Sequence, residues 1–474
     1  MTVFRWALAS FVVVGTAPAA ESLIAQAAAQ AEQKAAQAPP PLALQFRLRA
    51  AGTLRERYPD LMRIFLDAAR QNSRGSRDWM TGSTLQTLTG LSPSDGLSVF
   101  REVAATFADS PDPSDALWLA LEAPPEAAAA SYERVIRAAS APDYGKGSKS
   151  QMIADFQIGS AVIHTDNSRD TLLLLAGTRL RTLAPARFEQ FNGTFAKWTI
   201  DGPAVLKDVS FKRAPAPAVP PGPAGISERM GTIRKLPTDA DRARLVVELV
   251  RDIAAVPPGV RKLNLISNLA NLATEGDLGK PALGALASTF AATLREEESG
   301  TSGDDYARLA TLVRYEHLEV PYDPALDAAQ ALLALRDELL QEIGFTLTGM
   351  DGKTFSLVAL KGRVVLLNFW ATWCPPCRKE MPDMEKLYRI YEKKGLTVIA
   401  ASDEARPIVE QFLAKNPYTF TVALDPGGKV QSAFGVDGIP KSFIFDREGR
   451  LAAQAMDMRT ESQFLELLKI AGLE

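Results

Sequence analysis

The chain has 474 residues, 46% hydrophobic and 23% charged, with 53 Lys and Arg against 56 Asp and Glu. This balance excludes a disordered or fibrous chain, and the length suits about two to four domains. A net charge of −3 gives no basic face for nucleic acid, and two cysteines with two histidines are too few for zinc clusters, haem attachment or a disulfide framework.

The opening MTVFRWALASFVVVGTAPAA has the build of an export signal. Arg5 supplies the positive start, residues 6–15 the apolar run, and Ala17-Pro18-Ala19 the small residues a signal peptidase cuts after. The run is too short to span a bilayer, so residues 1–19 are expected to be a cleaved signal; an uncleaved anchor or a buried helix are the other readings. The mature chain is then exported and periplasmic, where its one possible cysteine pair is free to oxidise.

Residues 20–41, with AQAAAQAEQKAAQAPPP, read as a low-complexity, helix-prone tether with a proline stop. A helical region follows over 42–149; in YPDLMRIFLDAAR, Leu61, Ile64, Phe65 and Ala68 share one face. A Gly/Ser-rich break falls near 144–148. MIADFQIGSAVIHTD and DTLLLLAGTRLRTL then read as strands joined by a turn at Asp166-Asn167-Ser168. FAKWTIDG and LKDVSFKR extend that pattern, which suggests a small β-rich module over 150–213. The proline-rich APAPAVPPGP makes residues 214–225 a semi-rigid linker. Residues 226–342 are helical again, with no fixed repeat period. His164 and His317 read as ordinary residues, and Glu296-Glu297-Glu298 as a solvated helix end.

From 343 the elements become short and well punctuated. FTLTGMDGKTFSL is a hairpin turning at Asp351-Gly352, VVLLNF a buried strand, and a helix begins just after WATWC. LTVIAAS, TFTVALD, SFIFD and LAAQA are further strands, with EARPIVEQFLAKN and ESQFLELLKIAG as helices. Together they predict a mixed sheet covered by helices on both faces.

The chemistry is concentrated at Cys374-Pro375-Pro376-Cys377. Only a thiolate is nucleophilic, and Cys374 sits where a strand hands over to a helix, facing unpaired backbone N–H groups and the positive end of the helix dipole. Pro375 gives up an N–H that lacks a helical partner anyway, and Cys377 lies one turn on, within reach of the first sulfur. Cys374 would attack a substrate disulfide and Cys377 would resolve the mixed disulfide. The rival readings are a half zinc site, a purely structural disulfide and a peroxidase; the last expects Thr or Ser where Ala371 stands.

The strand, the CxxC at a helix start and the distant Ile439-Pro440 together resemble the thioredoxin superfamily, and WCPPCRKEMP with the preceding hairpin looks most like its exported TlpA/ResA/DsbE-type thiol–disulfide oxidoreductases. The resemblance covers residues 343–474 only. The fold class is therefore multi-domain: an α/β thioredoxin-like C-terminal domain after a mainly helical region with a small β-rich module. Glu380, three residues past Cys377, could exchange a proton with the resolving thiol, and the resemblance implies that it tunes the cysteines; the plain alternative is a solvated helix glutamate. Asn368 stands where thioredoxins proper carry a buried Asp. The resemblance makes Ile439-Pro440 a cis-proline loop facing the cysteines, with Lys441 departing from the usual Thr. Trp373, Pro375, Pro376, Ile439 and Pro440 are the expected substrate-binding residues, Trp370 belongs to the core, and Pro382 should kink the helix.

By resemblance the protein is a reductase of disulfide-containing exported proteins, kept dithiol by a membrane thiol reductant of DsbD/CcdA type, with cytochrome c maturation as one pathway. The exchange uses no cofactor, metal or nucleic acid. An oxidase or isomerase, or a protein-binding scaffold with an accessory redox domain, are the alternatives.

Overall fold

A computed structural model describes residues 19–80, 83–106, 113–141, 154–158, 161–196, 198, 209–210, 225–273, 278–296, 301–436, 438–455 and 458–474. Residues 1–18 of the expected signal, the Gly/Ser break, Glu297-Glu298 and all but Gly225 of the proline linker lie outside them. The chain forms two compact units: residues 333–474 with the first helix up to 31, and residues 32–273 with 278–332.

The larger unit is mostly helical. Pro40, Pro59, Pro93, Pro113, Pro125, Pro185 and Pro324 each open a helix, the position where a fixed φ helps and the missing N–H is not needed. The helix-prone stretch of 20–41 does form a helix, Ala19–Ala35, most of which belongs to the other unit, with Ile24, Ala28, Ala31 and Ala35 buried at helical spacing. In Pro59–Asn72 the buried face is Phe65, Leu66 and Ala69. Ile64, assigned to that face from spacing, is 54% exposed.

The module at 150–213 departs most from its sequence pattern. Ala154–Ile158 and Ala161–Thr165 do pair as an antiparallel hairpin, joined by the two-residue strand Val209–Ser210. DTLLLLAGTRLRTL, however, is a helix, Ser168–Leu183, and the expected turn is its start. The Asn167 side chain caps it by accepting the Asp170 N–H at 2.9 Å. Phe195, read as part of a strand, ends a short helix, Asn192–Phe195. A boundary at 149/150 does not separate two cores, because Leu117, Ile136, Phe156, Leu173 and Phe195 belong to one apolar cluster.

The C-terminal unit carries a seven-stranded sheet. Its elements are β1 (Thr346–Gly349), β2 (Thr354–Ser356), β3 (Val364–Phe369), α1 (Pro375–Tyr391), β4 (Leu396–Ser402), α2 (Arg406–Lys415), β5 (Thr421–Leu424), α3 (Lys429–Ala433), β6 (Lys441–Phe445), β7 (Leu451–Ala455) and α4 (Glu461–Ile470). The strand order is β7-β6-β3-β4-β5-β1-β2, with β3, β4 and β5 parallel and the remaining pairs antiparallel. Gly352, at φ +82°, closes the β1–β2 turn where the Asp-Gly pair predicts it.

Each residue of β3 is buried, because both faces of the sheet are covered. Val364 and Leu366 join a core with α1, α2 and α4, whereas Val365, Leu367 and Phe369 face Phe434, Phe443 and Leu340. Leu340 lies on helix Pro324–Ile343, so this unit starts before the expected boundary at 343. Within the unit this helix meets the sheet through polar as well as apolar groups: Gln454 Nε2 of β7 donates to Asp337 Oδ1 at 3.2 Å, both residues buried.

Candidate active site

The β3 strand ends at Phe369, and the chain turns before α1. Trp370 N–H donates to Ala401 O on the neighbouring parallel strand at 3.0 Å, and Cys374 N–H donates back to Ala371 O at 3.1 Å. This tight turn delivers Cys374 to the N-cap of α1. Its Sγ accepts the Cys377 N–H at 3.3 Å. Proline at both of the first two helical positions means that Cys377 carries the first backbone N–H available to that sulfur.

Cys374 and Cys377 form a disulfide with their Cα atoms 5.3 Å apart. Cys377 is fully buried and Cys374 is 2% exposed. Around them the surface is open: Trp373 is 68% exposed, and Pro375 and Pro376 are also exposed. The Ile439-Pro440 peptide is cis, and Ile439 O lies 3.8 Å from Cys374 Sγ. The structure thus brings together the two cysteines, Trp373, both prolines and the Ile-Pro turn. Trp370 lies in the core against Phe412, and Pro382 lies within α1.

Glu380 is 1% exposed, which excludes the solvated alternative. Its two oxygens accept separate hydrogen bonds, one from Asn368 Nδ2 at 2.8 Å and one from Arg459 N–H at 3.0 Å. Asn368 Nδ2 also donates to Ser442 Oγ at 3.0 Å, two residues past Pro440. One carboxylate therefore links the cysteine-bearing helix to β3, the start of β6 and the segment before α4. Asn368 Oδ1 is buried and makes no hydrogen bond. Lys441 is buried beside the Phe443 ring, on the sheet face opposite Asn368, with Nζ 3.5 Å from Gly435 O.

His164 lies in strand Ala161–Thr165 paired with Asp155, and His317 follows helix Gly303–Tyr315 at φ +52°; neither is near the cysteines in sequence or in an element of this sheet. Sequence reasoning missed Ser442, Arg459, Thr372 and Glu404. Glu404 had a usable signal: it follows β4, and loops at the carboxyl ends of parallel strands gather around such sites.

A parallel β3-β4-β5 core extended by antiparallel β6 and β7, with a redox disulfide opening the first helix after β3, defines a thioredoxin-like thiol–disulfide oxidoreductase. Residues 336–468 match the Redoxin family. The thiol–disulfide oxidoreductase ResA of Bacillus thuringiensis is 40% identical over 126 residues, covering 26% of this chain and 73% of that protein. ResA of Halalkalibacterium halodurans is 35% identical over 133 residues, covering 27% and 76%. Among solved structures, a putative thiol:disulfide interchange protein DsbE from Chlorobium tepidum is 38% identical, covers 26% of this chain and 93% of that one, and has a TM-score of 0.25. Through its C-terminal domain the chain belongs to the ResA-type thiol–disulfide oxidoreductases.

Proposed function

We propose that the protein is an exported reductase that delivers two electrons to disulfides of other exported proteins and is returned to the dithiol by a membrane thiol reductant of DsbD/CcdA type. Cytochrome c maturation is one pathway that such a reductase would serve. The carrying observation is the Cys374–Cys377 pair at the mouth of α1, opposite Ile439 O and ringed by exposed Trp373, Pro375 and Pro376.

In the reduced protein, Cys374 thiolate attacks one sulfur of the substrate disulfide, forming a mixed disulfide and releasing a substrate thiolate. Cys377 then loses its proton and attacks Cys374 Sγ, which frees the second substrate thiolate and restores the bond seen here. The two thiol protons end on the two substrate thiols. Cys377, enclosed beneath Cys374, reaches the mixed disulfide and not the bulk. Two proline positions leave few N–H donors for the Cys374 thiolate, and a less stabilised thiolate favours the oxidised protein, which is the sense a reductase needs.

Export rests on the sequence of residues 1–19. No helix among the described residues is long and apolar enough to cross a membrane.

Insulin reduction by the full chain tests the reading, with Cys374→Ser and Cys377→Ser beside the unsubstituted protein and a glutathione redox titration in parallel. Cys374→Ser should abolish turnover, and Cys377→Ser should accumulate a mixed disulfide. Undiminished turnover in Cys374→Ser would overturn the mechanism, and a potential above that of glutathione would assign an oxidase instead.

A further inference from the structure

Thr372, two residues before Cys374, is held by a side chain that the exchange chemistry does not otherwise use. Glu404, just past the end of β4, receives the Thr372 N–H on Oε2 at 2.6 Å and the Thr372 hydroxyl on Oε1 at 2.7 Å. Ser402 supports the carboxylate from behind: its hydroxyl donates to Oε2 at 3.2 Å, and the Glu404 N–H donates to Ser402 Oγ at 3.3 Å. Thr372 and Trp373 are the central residues of the turn that Cys374 N–H closes onto Ala371 O. The carboxylate thus grips the first central residue with both oxygens, while the second, Trp373, stands out into solvent.

Two consequences follow from elementary electrostatics. A bidentate, charge-assisted grip fixes the turn that sets both the Cys374 sulfur and the Trp373 face. A negative charge on the same turn disfavours a second negative charge on Cys374 and works against the helix N-terminus.

We infer that Glu404 is a positioning residue of the redox site, which holds the Ala371–Cys374 turn through Thr372 and keeps the Cys374 thiol less acidic than α1 alone would make it. Like the two prolines, it biases the couple toward the oxidised state and so toward reducing power. The inference deepens the reductase reading and rests on it. The other charged groups of these segments are Arg378 and Lys379 on the exposed side of α1, buried Glu380, Asp403 and Arg406 flanking Glu404, and Lys441 after Pro440. Arg406 is engaged by Met350 O and Glu410, and Arg378 lies over the Phe412 ring.

The test is the pH dependence of Cys374 alkylation by iodoacetamide in the reduced full-length chain, followed by mass spectrometry, together with the equilibrium against glutathione. Glu404→Gln should move the alkylation midpoint down by about half a unit or more, which is ~threefold in thiolate below the midpoint, and shift the couple toward the dithiol. Thr372→Val removes the hydroxyl donor but leaves the charge, so turnover should fall without that downward shift. Glu404→Asp, which keeps the charge on a shorter arm, should behave like Thr372→Val. Equal loss of turnover in Glu404→Gln and Thr372→Val with an unmoved midpoint would show a structural prop only and overturn the inference. A Glu404→Gln chain that does not fold, with an Asp variant whose midpoint drops, would overturn it too. If the unsubstituted protein lacks Cys374-dependent insulin reduction, the reductase reading itself fails, whatever the alkylation profiles show.

Discussion

Strand β3 sends Val364 and Leu366 into one apolar layer and Val365, Leu367 and Phe369 into another, so a six-residue element ties both halves of the redox domain together. Helix Pro59–Asn72 of the larger unit is built differently: it buries a single stripe, Phe65, Leu66 and Ala69, and leaves the rest of its surface at least partly open. The buried polar groups differ in the same way. In the domain, Asn368, Glu380 and Ser442 form a chain between the cysteine helix and the segment after Pro440. In the helical unit, buried Asp95 receives hydrogen bonds from Arg63 and Ser92 and pairs with Arg70, which staples helix Pro59–Asn72 to Pro93–Thr106. Buried polar groups tie the cysteine helix to the sheet in one region and dock one helix on another in the other.

The sharpest way to break that contrast is in the helical unit. If helix Pro59–Asn72 is held by its one stripe, Phe65→Ala should cost about 3–5 kcal/mol, since Phe65 is 1% exposed. Its chain neighbour Ile64 lies outside the stripe, and Ile64→Ala should stay within about 0.5 kcal/mol. Hydrogen exchange over Pro59–Asn72 reads both. Comparable losses at the two positions would mean that a second surface covers Ile64.

Next in size is the polar chain of the domain. Glu380→Ala would leave Arg459 N–H without this acceptor and remove one of the two partners of Asn368 Nδ2, at a cost of about 2 kcal/mol. Protection of α1 against hydrogen exchange should fall while that of Pro59–Asn72 does not. A loss shared by both helices would make the two regions one cooperative unit.

Glu385 sharpens the comparison through pH. Burial alone would raise its pKa, but hydrogen bonds from the Thr419 hydroxyl and N–H and from Arg389 outweigh it and hold the carboxylate below its ordinary value. A carboxylate with a depressed folded-state pKa adds stability that is complete above its unfolded value, near ~4.3, and is lost as pH falls through the folded one. Thermal unfolding of the domain should therefore weaken on acidification below about pH 4, and Glu385→Gln should flatten that part of the curve while lowering stability near pH 7 by about 1.5 kcal/mol. An unchanged acid limb in the variant would shift the cause to other carboxylates.

The domain was legible because turn residues punctuate it: Asp351-Gly352, the Cys-Pro-Pro-Cys helix start, Gly438-Ile439-Pro440 and Glu448-Gly449 each end one element and begin the next. Burial on two faces did not obscure β3, because six residues between such signals are too few for a helix. The grip of Glu404 on Thr372 was not legible, since it joins residues 32 apart through a parallel strand pair. In the helical unit, Ile64 was misplaced because spacing defines a periodic face but not which way the helix is rolled, and neighbouring helices set that roll.

The run DTLLLLAGTRLRTL failed for a different reason, and it supplies the smallest effect worth measuring. Leu172, Leu173, Leu174, Leu175 and Ala176 are all buried, so no polar face marks the helix period, and an apolar run reads equally as a buried strand. The discriminating signal was at the start: Asn167 followed three residues later by Asp170, the pattern of a capped N-terminus rather than of a hairpin turn. If the cap is what selects helix there, Asn167→Ala should cost about 1 kcal/mol and Asn167→Asp much less, because Asp also accepts the N–H and favours the helix dipole. Exchange protection at the first turn of Ser168–Leu183 is the readout. Loss at that turn with the strand pair Ala154–Ile158 and Ala161–Thr165 intact would place the decision in the cap; no change in Asn167→Ala would place it wholly in the packing of the five apolar residues.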